Sequence, residues 1–327
     1  MLREALLRMN CPGNRASWVL SAGGVSIRIH AENTAADIIQ DLKGLFCGFV
    51  VPEPSAGIDA ELVVTLDAGV SMQTTTDTVP VNLMKAYHPY KAKLIQKIRS
   101  VGHLSFADGD ENLYLIGFQN GILSYQDHQG TAVCFLFQGN TKSQFLVGSL
   151  YKLTFVFLCL LMAAKDRFFI HSAAVQHDGA GYLFWGSSGA GKTTIAGFSA
   201  RPDVFSDDAP ILLKENNKFY CVASPFCQLE EMLKQPRKQM ACVRENLFLN
   251  KSHGLKLTPK PRNEAFSEIL FQHLHHFEFM SRDLRKRAFN FFYELCRQVP
   301  AYDLYFMKDS LVWPLIAGRG RKSASEG

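Results

Sequence analysis

Apolar and polar positions along the chain change period several times, and each change marks an element. "GGVSIRIHAE" and "AELVVTLD" alternate apolar with polar, the period of a half-buried strand, while "TAADIIQDLKGLF" between them spaces Ala36, Ile39, Leu42 and Leu45 as one face of a helix. Three further runs, "NLYLIGF", "GILSYQD" and "TAVCFLF", are separated by Gln119-Asn120-Gly121 and Asp127-His128-Gln129-Gly130, turn chemistry that predicts an antiparallel meander. The most apolar run, "LTFVFLCLLMAA" from Leu153 to Ala164, lies in a helix predicted around Tyr151–Ala164. Twelve apolar residues between Lys152 and Lys165 are too few to span a bilayer, so the run predicts a buried core helix and no membrane partner.

Next, "FFIHSAAV" and "GYLFW" flank Asp178-Gly179, a strong hairpin signal. A two-residue loop there sets a register in which His171 faces Gly186. "VFS" after Pro202 predicts a short strand. Beyond Ala223 the chain reads as helix-rich, with helices over "NEAFSEILFQHLHHFEFM" and "SRDLRKRAFNFFYELCRQV", the second opening on a Ser281 cap, and a closing strand "AYDLYFM". No repeat at solenoid periods is found. The pattern predicts an α/β chain in three parts: a mixed α/β N-terminal domain at 1–165, a second domain at 166–317, and a compositionally disordered tail at 318–327.

Composition adds little except in charge and cysteine. The formal charge of +5 is uneven: 13 basic and 13 acidic residues precede Asp166, whereas 17 basic and 10 acidic residues follow from Glu231 on. The excess predicts a solvated helical face or, around Arg285, Lys286 and Arg287, a docking surface for an acidic substrate. It forms no compact stripe and accompanies no nucleic-acid-binding motif, so a nucleic-acid partner is not expected. Eight scattered cysteines without ligand spacing read as reduced thiols of a cytoplasmic protein, and the N-terminus shows no secretory pattern. His273, His275 and His276 fall in one predicted helix, where only the i, i+3 pair shares a face and no third zinc ligand is evident.

The chemistry concentrates between Ile170 and Leu212. Gly186-Ser187-Ser188-Gly189-Ala190-Gly191-Lys192-Thr193 matches the phosphate-loop pattern, with an apolar strand before it and a helix start at Thr193-Thr194 after it. Such a loop turns backbone N–H groups onto phosphate oxygens, with Lys192 reaching the β- and γ-phosphates of ATP and the Thr193 hydroxyl holding Mg²⁺. Asp207 and Asp208 follow Thr193 by only 14 and 15 residues. An aspartate pair that close suits phosphoryl transfer to a hydroxyl, one carboxylate serving the acceptor and the other the metal.

These residues resemble the catalytic domain of HPr kinase/phosphorylase, a serine kinase whose nucleotide site is related to that of ATP-dependent phosphoenolpyruvate carboxykinase. The resemblance is carried by His171 in the strand before the loop, by "GSSGAGKT" and by "SDD", and more weakly by "VPAYDLYFMKDSLVW". It is similar in particular to the shorter HPr kinase-related proteins of peptide-modification cassettes. The resemblance implies a P-loop kinase domain at 166–317 and a substrate-selecting domain at 1–165. Gly186, Ser187, Ser188, Gly189, Ala190, Gly191, Lys192, Thr193 and Thr194 would bind the nucleotide. Asp207 would be the acceptor base with His171 as its partner, and Asp208 the metal-side carboxylate, or the two aspartates reversed. It also implies a protein or peptide substrate bearing Ser or Thr, and a homo-oligomer. Thr194 stands where HPr kinases carry a glutamate, and their glycine-rich segment after the aspartates is absent, which implies a substrate other than HPr. The other function classes open at this point are a small-molecule hydroxyl kinase and a nucleotide-binding scaffold.

Overall fold

The computed structural model describes residues 17–32, 35–52, 57–67, 103–107, 113–118, 120–126, 130–138, 142–198, 203–226, 240–307 and 312–317. The tail at 318–327 and parts of the predicted turns, at Gln119, 127–129 and 201–202, lie outside these residues. The chain is mixed α/β and divides into two units, Met1–Leu158 and Cys159–Gly327.

The first unit is built on one eight-stranded sheet. Its strands are β1 (Ser17–Ala22), β2 (Val25–Glu32), β3 (Val50–Val51), β4 (Ala60–Asp67), β5 (His103–Ala107), β6 (Leu113–Phe118), β7 (Gly121–Gln126) and β8 (Thr131–Phe137), in the order β3-β1-β2-β4-β8-β7-β6-β5. The β2–β4 and β4–β8 pairs are parallel, and β6, β7 and β8 form the predicted meander. Helix α1 (Ala36–Leu45) connects β2 toward β4 and buries Ile38, Ile39 and Leu42. Trp18 donates its indole N–H to the Ile39 carbonyl at 3.1 Å, fixing the helix to β1. Helix α2 (Ser143–Ala163) begins well ahead of the predicted start at Tyr151 and runs across the boundary between the units. Among the described residues it is the one helix long and apolar enough to cross a membrane, and 78% of its most apolar window is buried. The fit is close: a Cβ on Gly121 would lie 2.7 Å from Leu153 Cδ1, and Phe157 meets Tyr125 edge-on at 5.0 Å.

The second unit carries a nine-stranded sheet. The strands are β9 (Arg167–Phe169), β10 (Ser172–His177), β11 (Ala180–Trp185), β12 (Val204–Ser206), β13 (Ile211–Glu215), β14 (Lys218–Val222), β15 (Met240–Lys251), β16 (Lys256–Pro259) and β17 (Ala301–Phe306). Their order is β12-β10-β11-β15-β14-β13-β9, with β17 also pairing β15 and β16 pairing β17. The β10–β11 hairpin turns on Asp178 and Gly179 at φ 49° and 75°, the two left-handed residues of a type I′ turn, and its pairs run from Ser172↔Trp185 to His177↔Ala180. This is the predicted register, but the ladder stops one pair short of His171.

The expected single strand "FFIHSAAV" is broken. β9 pairs with β13, whereas β10 pairs with β11 and β12. In the break, the Ile170 N–H goes to the Pro210 carbonyl (3.1 Å) and the His171 N–H to that of His273 (2.7 Å). The region beyond Ala223, expected to be helix-rich, contains the twelve-residue β15, parallel to both β11 and β17.

One face of this sheet is covered by α3 (Lys192–Ala196) and α6 (Val312–Ala317), whose Ile195, Ala196, Val312 and Ile316 pack on Tyr182, Phe184, Leu247 and Leu304. Helix α5 (Arg282–Gln298), capped by the Ser281 hydroxyl on the Leu284 N–H, packs Phe291 and Phe292 against Phe168 of β9. Helix α4 (Arg262–Gln272) is shorter than the predicted run to Met280: the chain leaves the helix at His273 (φ −125°, ψ 5°) and Leu274 bridges to Ile170.

Candidate functional site

β11 delivers Trp185 to the edge of the sheet, where the loop Gly186–Gly191 turns back into α3. Gly186 is buried, and a Cβ there would lie 2.7 Å from Ala190 Cβ. Gly191 sits at φ 108°, and its Cβ would lie 2.7 Å from Phe306 Cζ, so the two glycines let the loop close against its own strand and against β17. Ser187, Ser188 and Gly189 are exposed and Ala190 is half-buried. α3, which follows the loop, has only five residues.

Lys192 is only 6% exposed. Its ammonium donates to the carbonyls of Gly186 (2.8 Å) and Ser187 (3.2 Å) and lies 2.9 Å from His171 Nε2. Burial lowers its pKa, opposed by the charges of Asp208 and Asp207. Thr193 follows it on α3 and is exposed, with its hydroxyl donating to Asp207 Oδ2 at 3.1 Å, and Thr194 is half-buried beside it.

The aspartates come from the end of β12, which pairs antiparallel with β10, so the start of β10 and the ends of β11 and β12 share one sheet edge. The Ser206 hydroxyl caps the turn, accepting from the N–H groups of Asp208 (3.2 Å) and Ala209 (2.9 Å) and donating to the Phe226 carbonyl (3.2 Å). Asp207 is buried at 1% exposure and meets Thr193. Asp208 is more open, and its Oδ1 lies 3.3 Å from His171 Nε2. The hydrogen bond from His171, with the Lys192 charge nearby and against the effect of burial, holds the Asp208 carboxyl below the usual carboxylate range. His171 therefore lies with Asp208, and Thr193 with Asp207, which corresponds to the second of the two aspartate assignments that the resemblance left open.

The structure adds residues that the sequence offered only as an unconvincing zinc set. His273-Leu274-His275 lies beside Phe169–His171 through the isolated Ile170–Leu274 bridge, with the His275 N–H on the Phe169 carbonyl (3.3 Å). The His171 ring lies 5.4 Å from that of His275 and 6.0 Å from that of His273. His275 Nε2 reaches the Asp208 carbonyl at 3.5 Å, and burial, with the nearby His276 and His171, pushes its pKa down to about 3, so it stands neutral beside the carboxylate. No local sequence signal marks this arrangement, which arises because the helix ends at Gln272 and the chain then bridges to Ile170.

The arrangement joins a buried cation at a phosphate-type loop to two carboxylates of different character. One is buried against a hydroxyl. The other is half-open and paired with a histidine. Among the described residues no group of three or more His, Cys, Asp and Glu is set to hold a metal ion, and the adjacent Thr193 Oγ1 and Asp207 are oxygen donors of the type a hard cation would take. The chain matches no family model, and no curated protein matches it.

Proposed function

We propose that this chain is an ATP- and Mg²⁺-dependent kinase with a P-loop domain of the HPr kinase type, transferring the γ-phosphoryl group to a Ser or Thr hydroxyl of a protein or ribosomally made peptide. The observation that carries the reading is the meeting, at one sheet edge, of Lys192 with the His171–Asp208 and Thr193–Asp207 pairs.

Each group has a task that suits its surroundings. Lys192, already among the loop carbonyls, supplies the cation for the β- and γ-phosphates. Asp207 and Thr193 would hold Mg²⁺, which when bound neutralises charge on the phosphate oxygens. Asp208, the more open carboxylate, takes the proton of the acceptor hydroxyl, while His171 orients it through Nε2. The bond from the acceptor oxygen to the γ-phosphorus forms as that to the bridging oxygen breaks, and ADP leaves. In this reading residues 1–165 select the substrate.

The test is transfer of labelled γ-phosphate from ATP to Ser- or Thr-bearing peptides encoded beside the gene, with ADP release measured in parallel. Acid-stable label on a hydroxyl residue, dependent on Mg²⁺, is expected. ATP binding by calorimetry with neither label nor ADP would reduce the chain to a nucleotide-binding scaffold, and labelling of a metabolite instead of any peptide would make it a small-molecule kinase.

A further inference from the structure

We infer that the outer face of the α4–α5 pair is a docking site for an acidic polypeptide segment that carries apolar side chains. Helix α5 buries Leu284, Ala288, Phe291, Phe292 and Leu295 on its inner face, yet keeps Phe289 47% and Tyr293 54% exposed on the outer one. Phe266 of α4 meets both edge-on, its ring 4.9 Å from that of Phe289 and 6.0 Å from that of Tyr293. Three aromatic rings thus form one patch spanning two helices, a composition typical of contact centres between proteins.

The rim decides the partner. Along α5 the positions Arg282, Lys286, Phe289, Tyr293 and Arg297 follow one another at spacings of three and four, one continuous row with cations at both ends of the aromatic pair. Arg262 stands one turn before Phe266 on α4, and Arg262, Lys286 and Arg297 are all exposed. Arg297 is the one of these drawn to a carboxylate, Glu294 at 2.9 Å. An apolar patch bordered by the exposed Arg262, Arg282 and Lys286 is complementary to acidic residues beside apolar anchors, and an amphipathic segment laid along the helices meets both.

Two other occupants fit less well. A second copy joined by a two-fold axis sets the patch against itself, bringing like-charged rims together. A membrane surface calls for a broad apolar helix face, whereas the broad apolar face of α5 is in the core.

The site is tested by binding to the whole chain and not by phosphoryl transfer, so its failure leaves the kinase reading untouched. A random peptide library is selected against the full-length protein, and enriched peptides are measured by fluorescence anisotropy. Enrichment of sequences that mix Asp and Glu with Leu, Phe or Trp is expected. Phe289→Ala with Tyr293→Ala should weaken their binding by about tenfold or more, and Arg262→Glu with Lys286→Glu should weaken it while flattening its salt dependence. All four positions are exposed or rim sites, so circular dichroism of the variants should match the parent. Enriched peptides that are not acidic, or that bind the aromatic double variant as well as the parent, would overturn the inference. So would a dimer in sedimentation equilibrium that Phe289→Ala abolishes, which makes this face an interface between copies, or co-sedimentation with phosphatidylserine vesicles lost in the same variant.

Discussion

His171 Nε2 faces two partners with opposite demands: the Lys192 ammonium at 2.9 Å can only donate, and Asp208 Oδ1 at 3.3 Å accepts. In a neutral ring that nitrogen serves one of them at a time, so whatever draws Lys192 toward a phosphate frees His171 for Asp208. The two aspartates then separate by consequence. Asp208→Asn keeps the shape but loses the carboxylate, and transfer should fall by about 10²–10⁴-fold with ATP affinity little changed. Asp207→Asn, next to Thr193, should instead raise the Mg²⁺ concentration for half-maximal rate, with excess Mg²⁺ restoring part of the activity. Lys192→Ala is the control for nucleotide binding, expected to weaken ATP about 10–100-fold through loss of one charge-assisted contact. Labelled-phosphate transfer across a Mg²⁺ titration, with calorimetry for ATP, reads all three. Wild-type rates in both aspartate variants would remove the pair from the chemistry.

The connection of α4 to the edge of the second sheet is a polar one. Lys260, 10% exposed at the end of β16, meets Glu268 of α4 and Asp303 of β17, each at 3.0 Å, and lies 4.7 Å above the Phe248 ring. Burial works against the ammonium, but the two carboxylates outweigh it and raise its pKa. The His273 ring at 3.7 Å and then Lys260 hold the Glu268 carboxyl below its ordinary 4.5. A carboxyl whose folded pKa is depressed stabilises above its unfolded pKa and loses that contribution as pH falls through the folded value. Glu268→Gln should therefore lower stability by about 1–2 kcal/mol at pH 7, and the melting temperatures of variant and parent should converge as the pH falls below the ordinary carboxylate value and through the depressed folded one. A constant difference down to pH 3 would show that shape, not charge, matters there. Elements of this unit were legible where the sequence code is local. The Asp178-Gly179 turn needs two left-handed residues and has them, and Ser281 opens α5 as a cap. β15 was not legible because Met240–Arg244 alternate exposed and buried while Glu245–Leu249 are buried on both sides, so it carries no single period. The break at Ile170-His171 and the early end of α4 meet at the Ile170–Leu274 bridge, and no window of local sequence contains both.

At the scale of the whole chain, the glycine-rich loop Gly186–Gly191, both aspartates and the histidines around them belong to the unit Cys159–Gly327, while Met1–Leu158 has its own sheet and its own buried residues. The division was only coarsely legible, because the apolar helix that looked like a border is one continuous element running across it. A ligand stabilises the state that binds it by an amount set by its concentration over its dissociation constant, about 2.7 kcal/mol at a hundredfold excess. Amide exchange that requires opening of the binding unit should then slow by about a hundredfold, whereas exchange through openings that leave the site intact should not change. With ATP and Mg²⁺ at such an excess, peptides covering Phe168–Ala174, Tyr182–Ala196, Val204–Ala209 and Leu270–Phe277 should gain protection, since these hold the loop, the aspartates and the histidine layer. Peptides from β4 and from β2 and β8, which pair on either side of it in the other sheet, should exchange as before. Hydrogen–deuterium exchange followed by peptide mass spectrometry checks both halves of the expectation. Lys192→Ala measured at the same ATP concentration should lose most of the protection. Protection that spares the loop, or that appears mainly in β2, β4 and β8, would place the nucleotide elsewhere and end the case for this edge as the site.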